Sequence, residues 1–291
     1  MCKNIVEKGK LSKPLIIYNR TAKRAHDLAK TLPSDKSEVI TDLPKVVSRS
    51  DLIFICVGDD AAVHEVVDVI LKNDVSNKLI VDCSTIHPDT TEALEKKIKS
   101  AGGEFAACPV FGAPAMADIG KLICVLAGPE ANCEKVKPFC TGVMGRTTID
   151  FVGQPPRQAT HLKVLGNTFI QNMVEALAEG HVIAEKSGLG SENLHKYIDA
   201  MFGGPYAAYS QRMMNGDYYQ REEPLFMARL ARKDARHAMS IAHAAGARMR
   251  TIELADERLA IVEKLKGDKG DIAGIYGAVR TESGMKFENQ E

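Results

Sequence analysis

The chain has 291 residues, a length that suggests two domains, each large enough for its own hydrophobic core. Its 38 Lys and Arg residues equal its 38 Asp and Glu residues, so its net charge gives no bias toward polyanions and we expect no nucleic-acid partner. Hydrophobic residues at 45% and charged residues at 26% are typical of a soluble globular protein.

The cysteine pattern favours a reducing compartment. The seven cysteines include no Cys-x-x-Cys pair and lie partly in apolar runs, where a thiol behaves as a small hydrophobe. We predict no metal site. No apolar stretch is long enough to span a bilayer, and residues 1–8 resemble neither a signal peptide nor a transit peptide. The expected location is therefore cytoplasmic, without a membrane partner, or mitochondrial if a targeting segment precedes Met1.

Short apolar runs alternate with amphipathic stretches in the first half of the chain. The runs predict strands at 15–19, 38–41, 52–57, 79–83, 105–110, 122–127 and 148–152, and the amphipathic stretches predict helices at 22–31, 60–72 and 88–101. This alternation is typical of βαβ units. The expected fold class is therefore α/β, with a parallel sheet in the N-terminal half.

The alternation stops after residues 153–156, which read Gly-Gln-Pro-Pro. From about residue 158 onward the pattern is helical, and we find no strand signal. The stretch 158–187 predicts a single helix of about 45 Å, long enough to join two domains, and Gly188 suits its C-terminal cap.

The tripeptide Asn19-Arg20-Thr21 follows the first predicted strand. Open α/β sheets bind ligands at the C-terminal ends of their strands, and this turn places a guanidinium group and a hydroxyl there. A strand and a glycine-rich turn normally precede such a turn, but Gly9 is the only earlier glycine. Taken alone, the tripeptide is more often an ordinary surface turn, so the rest of the chain must decide.

The fourth predicted strand ends in Asp82-Cys83-Ser84-Thr85, and Pro88 suits the first turn of the next helix. Hydroxyls and backbone N–H groups at such a junction suit a carboxylate ligand. The alternative is that Ser84, Thr85 or His87 only caps that helix.

The segment Pro109 to Leu122 is rich in glycine and alanine and lies between two predicted strands. Its backbone could approach a small ligand closely, but by itself it is equally an ordinary loop.

Lys163 and Asn167 lie at positions i and i+4 of the long predicted helix and therefore share one face. Most lysines are solvated at the surface. The apolar neighbours Leu162, Val164 and Leu165 favour another interpretation, because burial lowers the pKa of a lysine toward the range of proton transfer.

In their order and spacing these motifs resemble the β-hydroxyacid dehydrogenase family. That family includes 3-hydroxyisobutyrate dehydrogenase and glyoxylate or succinic semialdehyde reductases, with a cofactor domain of the 6-phosphogluconate dehydrogenase type. The matching segments are Asn19-Arg20-Thr21, Asp82 to Thr85 with Pro88, Pro109 to Leu122, Lys163 with Asn167, and Phe226 to Asp234. Residues 1–9 resemble the helix that follows the family's Gly-x-Gly-x-x-Gly turn, so the resemblance covers nearly the whole chain.

The resemblance implies a Rossmann-like NAD(P)-binding domain over residues 1–153, lacking its first strand, and an all-α domain over 154–291. It implies an NADP-dependent oxidoreductase, with NAD as the alternative cofactor, and a homodimer. The reaction would be oxidation of the CH–OH group of a small β-hydroxyacid or reduction of a small aldehyde acid.

The resemblance also assigns roles to individual residues. Lys163 would exchange the proton and Asn167 would orient the substrate oxygen. The substrate-binding residues would be Ser84, Thr85, Gly112 and Ala113. The cofactor-binding residues would be Asn19, Arg20, Thr21, Val57, Gly58 and Lys233. Arg20 in place of an acidic ribose ligand favours NADP, because arginine accommodates a 2′-phosphate.

The chain departs from the family pattern in three places. The first strand and the glycine-rich turn are absent, so weak cofactor binding is expected. Phe111-Gly112-Ala113 replaces the usual Ser-Gly-Gly and puts an aromatic wall where a polar substrate contact is usual. Arg157 and Ala159 replace two glycines that usually precede the catalytic lysine.

Two hypotheses therefore remain. One is an active dehydrogenase or reductase, and the other is a catalytically impaired scaffold that has lost its cofactor loop. The joint presence of Ser84, Lys163, Asn167 and Lys233 favours the enzyme, because a scaffold has no chemical need for them.

Overall fold

The computed structural model describes residues 1–290 and divides into two compact units, Met1–Lys163 and the segment from Val164 onward. The first unit alternates strands and helices, as the sequence predicts. Its strands are β1 (Leu15–Ile17), β2 (Ser37–Val39), β3 (Leu52–Ile55), β4 (Leu79–Asp82), β5 (Glu104–Ala107), β6 (Val110–Phe111), β7 (Leu122–Gly128) and β8 (Gly145–Val152). Its helices are α1 (Cys2–Lys8), α2 (Ala22–Ala29), α3 (Leu43–Arg49), α4 (Asp60–Ile70), α5 (Pro88–Ser100), α6 (Pro114–Asp118) and α7 (Glu130–Val136).

All seven predicted strand regions contain strands, but several end early. β1 stops at Ile17 and β3 stops at Ile55, which leaves the predicted cofactor residues in the loops beyond the strand ends. The run 105–110 was predicted as one strand and is two, because Cys108-Pro109 separates β5 from β6 and proline has no N–H to donate to a ladder. The prediction that Pro88 begins a helix is confirmed.

The strands of the first unit form two hydrogen-bonded groups. β1 and β2 are parallel, with Leu15 opposite Ser37, and β3, β4 and β5 are parallel, with Leu79 between Leu52 and Glu104. Within residues 1–290 no strand pairing joins the two groups. In the doubly wound order 3-2-1-4-5-6, β1 and β2 match strands 2 and 3, and β3 to β5 match strands 4 to 6. The position of strand 1 therefore falls between β1 and β3.

The sequence predicts a parallel sheet, but the larger sheet also contains antiparallel pairs. β7 pairs antiparallel with β5 through Ala107 and Ala127 and antiparallel with β6 through Phe111 and Ile123, whereas β8 runs parallel to β7. The chain makes this reversal because β6 folds back along β7, instead of leading into the long helical crossover that a parallel pair needs.

Helices cover both faces of the larger sheet. On one face Val67 of α4 and Ile98 of α5 pack against Ile80 and Phe105, and all four are at most 1% exposed. On the other face Ile5 of α1 joins a cluster with Leu79, Val81 and Leu126, which also receives Leu15 of β1. Successive residues of β4 thus point to opposite buried faces, which explains why the strand is apolar throughout.

Five of the seven cysteines belong to this core, in agreement with their interpretation as small hydrophobes. Cys83, Cys108, Cys124, Cys133 and Cys140 are all buried in the cluster around α1. Residues 1–290 contain no disulfide. The sulfur atoms of Cys108, Cys124 and Cys140 lie within 4.8 Å of one another, and nearby apolar residues such as Leu126 and Met144 surround them.

The second unit is helical. Its elements are α8 (Arg157–Lys186), whose first turns belong to the first unit, α9 (Ser191–Met201), α10 (Gly204–Met214), α11 (Asp217–Gln220), α12 (Ala228–Ala244), α13 (Arg250–Lys266) and α14 (Ile275–Glu282). α8 has 30 residues and lies within one residue of its predicted bounds. Gly188 follows it with φ of +79°, a conformation that glycine adopts without strain. The described residues after Val152 form no strand, as predicted.

Asp271 fixes the start of α12, the helix that carries Lys233. Its carboxylate is 1% exposed, accepts hydrogen bonds from the N–H groups of Leu225 (2.8 Å) and Phe226 (3.2 Å), and pairs with Arg212 Nη2 at 2.6 Å. The backbone before α12 is therefore held by a buried charged acceptor, which forms stronger hydrogen bonds than a neutral one.

The domain boundary predicted at residues 153 and 154 stays a prediction. The division of the chain into compact units falls within α8, after Lys163. No helix in the described part of the chain combines the length and apolarity needed to cross a bilayer. The cytoplasmic location also stays a prediction.

Candidate active site

Lys163 lies in the second turn of α8 and is only 8% exposed. Its Nζ is 4.4 Å from the centroid of the Phe111 ring, a cation–π geometry. Phe111 is in β6, which pairing with β7 holds in place. The structure thus confirms that this lysine is buried, and it identifies the aromatic surface against which the ammonium rests.

The loop after β3 lies in the electrostatic surroundings of Lys163. The pKa of the Cys56 thiol is raised to about 11, mainly by desolvation and secondly by the Asp82 carboxylate, whereas the positive charge of Lys163 lowers it. Cys56 after β3 is therefore close enough to Asp82 of β4 and to Lys163 of α8 for their charges to shift its pKa.

Ser84 joins the ends of β3 and β4. It is 1% exposed, its Oγ accepts a hydrogen bond from the Val57 N–H at 3.0 Å, and its own N–H donates to Asp82 Oδ1 at 3.0 Å. The structure thus brings together the predicted substrate residue Ser84 and the predicted cofactor residue Val57, with Gly58 next in the same loop.

His87 caps the N-terminus of α5, which is one of the alternatives that the sequence left open. Its Nδ1 accepts a hydrogen bond from the Asp89 N–H at 3.2 Å. Ser84 does not cap α5, since its Oγ bonds to Val57. Thr85 lies between these two residues and is half-buried.

Gly112 and Ala113 are exposed in the loop that follows β6. Gly112 has φ of +134°, a conformation that other residues rarely adopt, so the backbone here requires glycine. Ala113 is the N-terminal cap of α6. This loop directly follows Phe111 and therefore places its backbone near the Lys163 contact.

The turn after β1 is well defined. Asn19 Oδ1 accepts a hydrogen bond from the Thr21 N–H at 2.8 Å, and Thr21 is the N-terminal cap of α2. The Arg20 side chain is 88% exposed and lies 3.8 Å from Glu65, which is itself 72% exposed. Arg20 is thus directed to solvent, with only a screened ion pair to restrain it.

In the second unit, Asp234 links two of the predicted site residues. Its Oδ2 accepts a hydrogen bond from Asn167 Nδ2 at 2.6 Å, and its Oδ1 lies 3.2 Å from Lys233 Nζ. Asp234 is 3% exposed and Asn167 is 7% exposed. The bond joins residues 67 positions apart, so the sequence pattern alone assigns Asp234 no role beyond its place in a motif beside Lys233.

Apart from Thr85 and the turn Asn19 to Thr21, the predicted site residues fall into three groups. Lys163 contacts Phe111 beside Gly112 and Ala113, Ser84 contacts Val57 beside Gly58, and Asn167 meets Lys233 through Asp234. The sequence missed the positioning roles of Phe111 and Asp234.

Comparisons with known proteins show the family to which the chain belongs. Residues 1–153 match the family model for the NAD binding domain of 6-phosphogluconate dehydrogenase, which covers more than half of the chain. The chain belongs to the β-hydroxyacid dehydrogenase family. Residues 158–279 match the model for the NAD-binding region of NADP-dependent 3-hydroxyisobutyrate dehydrogenase.

Individual relatives span nearly the whole chain. NADH-dependent oxidoreductase ucdB from Aspergillus ustus is 35% identical over 99% of this chain and 97% of its own length. Glyoxylate/succinic semialdehyde reductase 1 from Arabidopsis thaliana is 26% identical over 91% of this chain and 89% of its own length. The crystal structure of 3-hydroxyisobutyrate dehydrogenase from Salmonella typhimurium, 15% identical, superposes with a TM-score of 0.82 over 94% of both chains and shows the shared fold.

As a member of the β-hydroxyacid dehydrogenase family, the chain is an NAD(P)-dependent oxidoreductase. Its residues fit the adenosine half of such a cofactor. An exposed guanidinium follows β1 at Arg20, and an ordered loop at Val57 and Gly58 follows β3, so both lie where open α/β sheets bind nucleotides.

Asp234 provides a test of the site in the second unit. We predict that Asp234→Ala lowers kcat about 100-fold, because Asn167 loses its acceptor and a small misplacement of an orienting group is costly. Asp234→Asn keeps the shape and should recover part of the loss. The measurement is steady-state oxidation of NADPH or NADH with a small aldehyde acid, with circular dichroism to verify folding. Asp268→Ala, at an 87% exposed side chain, is the control, and wild-type kcat in a folded Asp234→Ala protein would contradict the prediction.

Proposed function

We propose that this protein catalyses hydride transfer between a nicotinamide cofactor and the hydroxyl-bearing carbon of a small β-hydroxyacid, or the reverse reduction of a small aldehyde acid. The observation that carries the proposal is the buried Lys163 ammonium, held against Phe111 in the second turn of α8. Asn167 follows one turn later on the same helix face, oriented by Asp234.

Lys163 would transfer the proton. In oxidation its neutral amine accepts the proton of the substrate hydroxyl, and in reduction its ammonium donates a proton to the carbonyl oxygen. The bound nicotinamide supplies or accepts the hydride. Asn167 would orient the substrate oxygen, which stays close to Nζ throughout. Protein groups thus provide orientation and the proton. Oxidation leaves Lys163 as the ammonium that reduction needs, and reduction leaves it as the neutral amine that oxidation needs.

Substrate carboxylate would be bound by the loops at the ends of β4 and β6. Ser84 and Thr85 offer hydroxyls, and Gly112 and Ala113 offer backbone N–H groups. Because Ser84 Oγ already accepts from Val57, its own hydrogen is the one to donate toward a ligand. Support for an acid substrate also comes from the relative named as a glyoxylate/succinic semialdehyde reductase.

For the cofactor we propose NADP, bound by Asn19, Arg20, Thr21, Val57, Gly58 and Lys233. The exposed Arg20 guanidinium is suited to a 2′-phosphate. A relative named as NADH-dependent keeps NAD as the alternative, and Glu65 beside Arg20 weakens its positive field. The cofactor domain would comprise residues 1–153, as the first family match supports, and the α-helical domain would begin at 154.

The enzyme is favoured over the catalytically impaired scaffold. Both Lys163 and Asn167 are buried and have specific neighbours, Phe111 and Asp234. Burying a charged or polar group costs free energy unless it is paired, and a scaffold gains nothing from that cost.

A homodimer formed through the second unit completes the proposal. Eight of the ten exposed large hydrophobic residues belong to this unit. They include Phe169 (76% exposed) and Ile183 (65% exposed), which share one face of α8, and Phe202, which stacks on Tyr206. An apolar surface of this kind is typical of an interface between subunits.

Lys163→Ala should lower kcat by a factor of about 100 to 10,000, the usual contribution of a positioned proton donor. The variant should stay folded, because alanine also suits a helix. Lys186→Ala on the same helix is the matched control and should keep wild-type kcat, since Lys186 bonds only to the Ser283 carbonyl at the surface. Wild-type activity in the Lys163→Ala protein would contradict the assigned role.

Arg20→Ala should weaken NADPH binding about tenfold and leave NADH binding unchanged, because only NADPH carries the 2′-phosphate that pairs with the guanidinium. Fluorescence titration of both reduced cofactors measures the two dissociation constants. Lys30→Ala, at the exposed end of α2, is the control. An equal loss of affinity for both cofactors would show that Arg20 does not discriminate between them.

Ile183→Glu should convert a dimer into a folded monomer, because the introduced carboxylate would be desolvated in a dimer and solvated in a monomer. Light scattering at micromolar concentration gives the mass of each protein. Ile149→Glu, an exposed site in the first unit, is the control. A wild-type protein that is monomeric under these conditions would overturn the dimer.

A further inference from the structure

Phe111 is anchored on one side and accessible on the other. It packs against a buried apolar cluster that contains Ala107, Val125, Ala127 and Ala159, yet the residue itself is only partly buried. β-pairing with Ile123 fixes its backbone. The ring is therefore a rigid surface and not a mobile side chain.

The contact with Lys163 ties this surface to the proposed reaction. Nζ lies 4.4 Å from the ring centroid, and the negative face of an aromatic ring attracts an ammonium group. A substrate whose oxygen reaches Nζ must therefore place neighbouring atoms near the same ring.

The chain after Phe111 extends the apolar surface. Residues 112–117 read Gly-Ala-Pro-Ala-Met-Ala and contain no hydroxyl, amide or charged side chain, and residues 112–115 are exposed. A polar substituent placed here would lose water and gain no side-chain partner, whereas an apolar substituent would gain from burial.

We infer that Phe111 determines specificity and that the substrate is an aryl-substituted hydroxyacid, or its carbonyl counterpart, whose ring packs on Phe111 and the apolar loop. This rests on the proposed function, because it takes the reacting carbon to lie near Lys163. It narrows the substrate from small acids in general to acids with a flat apolar group next to the reacting carbon. In the same geometry Phe111 also positions Lys163.

A matched pair of substrates tests the inference. 3-Hydroxypropanoate and 3-hydroxy-2-phenylpropanoate are both primary alcohols with a carboxylate, so the same C–H bond breaks and only the phenyl group differs. The wild-type protein with NADP or NAD should show a kcat/KM at least about tenfold higher for the phenyl acid. Phe111→Ser should reduce that preference at least about tenfold, mainly through a higher KM for the phenyl acid.

Two further variants separate the roles of the ring. Phe111→Leu keeps an apolar surface but removes the ring face, so it should retain part of the phenyl preference while kcat falls for both acids. Phe151→Leu changes an aromatic residue that packs against the same apolar cluster and should leave the preference unchanged. An unchanged preference in both Phe111 variants would overturn the inference.

Failure of the inference and failure of the proposed function give different results. Turnover that depends on Lys163 but shows no phenyl preference contradicts only the role of Phe111. Absence of Lys163-dependent turnover with both acids contradicts the proposed function. In that case calorimetric titration of the phenyl acid into NADPH-saturated protein still decides the role of Phe111: at least about tenfold weaker binding to Phe111→Ser supports it, and equal binding overturns it.

Discussion

Helix α8 is the constraint on which the site depends, because it carries both Lys163 and Asn167 and is helical without interruption from Arg157 to Lys186. In a continuous helix a spacing of four residues keeps the two side chains on one face, even if the helix ends fray. Burying an ammonium and a carboxamide is costly unless each has a partner. Phe111 and Asp234 supply such partners, so the energetic requirement of burial is met by contacts within the candidate site.

The remaining groups of the first unit follow from sheet topology. Parallel strands bring their C-terminal ends to one edge, and the hydrogen bond between Val57 and Ser84 joins two such ends directly. The reversal at β6 and β7 adds an element that a wholly parallel sheet lacks. It places Phe111 and an apolar loop beside the lysine. The parallel strands and the antiparallel segment thus contribute different residues to the candidate site.

The sequence predicted most of the architecture because local signals encode it. Apolar runs located the strands, and α8 was predicted to within one residue at each end because its apolar pattern and Gly188 mark its limits. The antiparallel β7 was missed, since apolar pattern carries no information about strand direction. Asp234 and Phe111 were missed as positioning residues because their partners are distant in sequence and only the tertiary fold brings them together. Local secondary structure was thus more predictable than the tertiary contacts that hold Lys163 and Asn167 in place.

The separation of β1 and β2 from the larger sheet has a consequence for local stability. Within residues 1–290 this two-stranded ribbon shares no ladder hydrogen bonds with β3 to β8, and side-chain packing through Ile5 and Leu15 connects them. An isolated pair of strands is only marginally stable, so the ribbon should open at a lower free energy than the sheet beside it and exchange its amide hydrogens faster. The turn that contains Arg20 directly follows β1 of this ribbon. A nucleotide bound there would therefore be coupled to its folding, and affinity would include the free energy of keeping the ribbon closed.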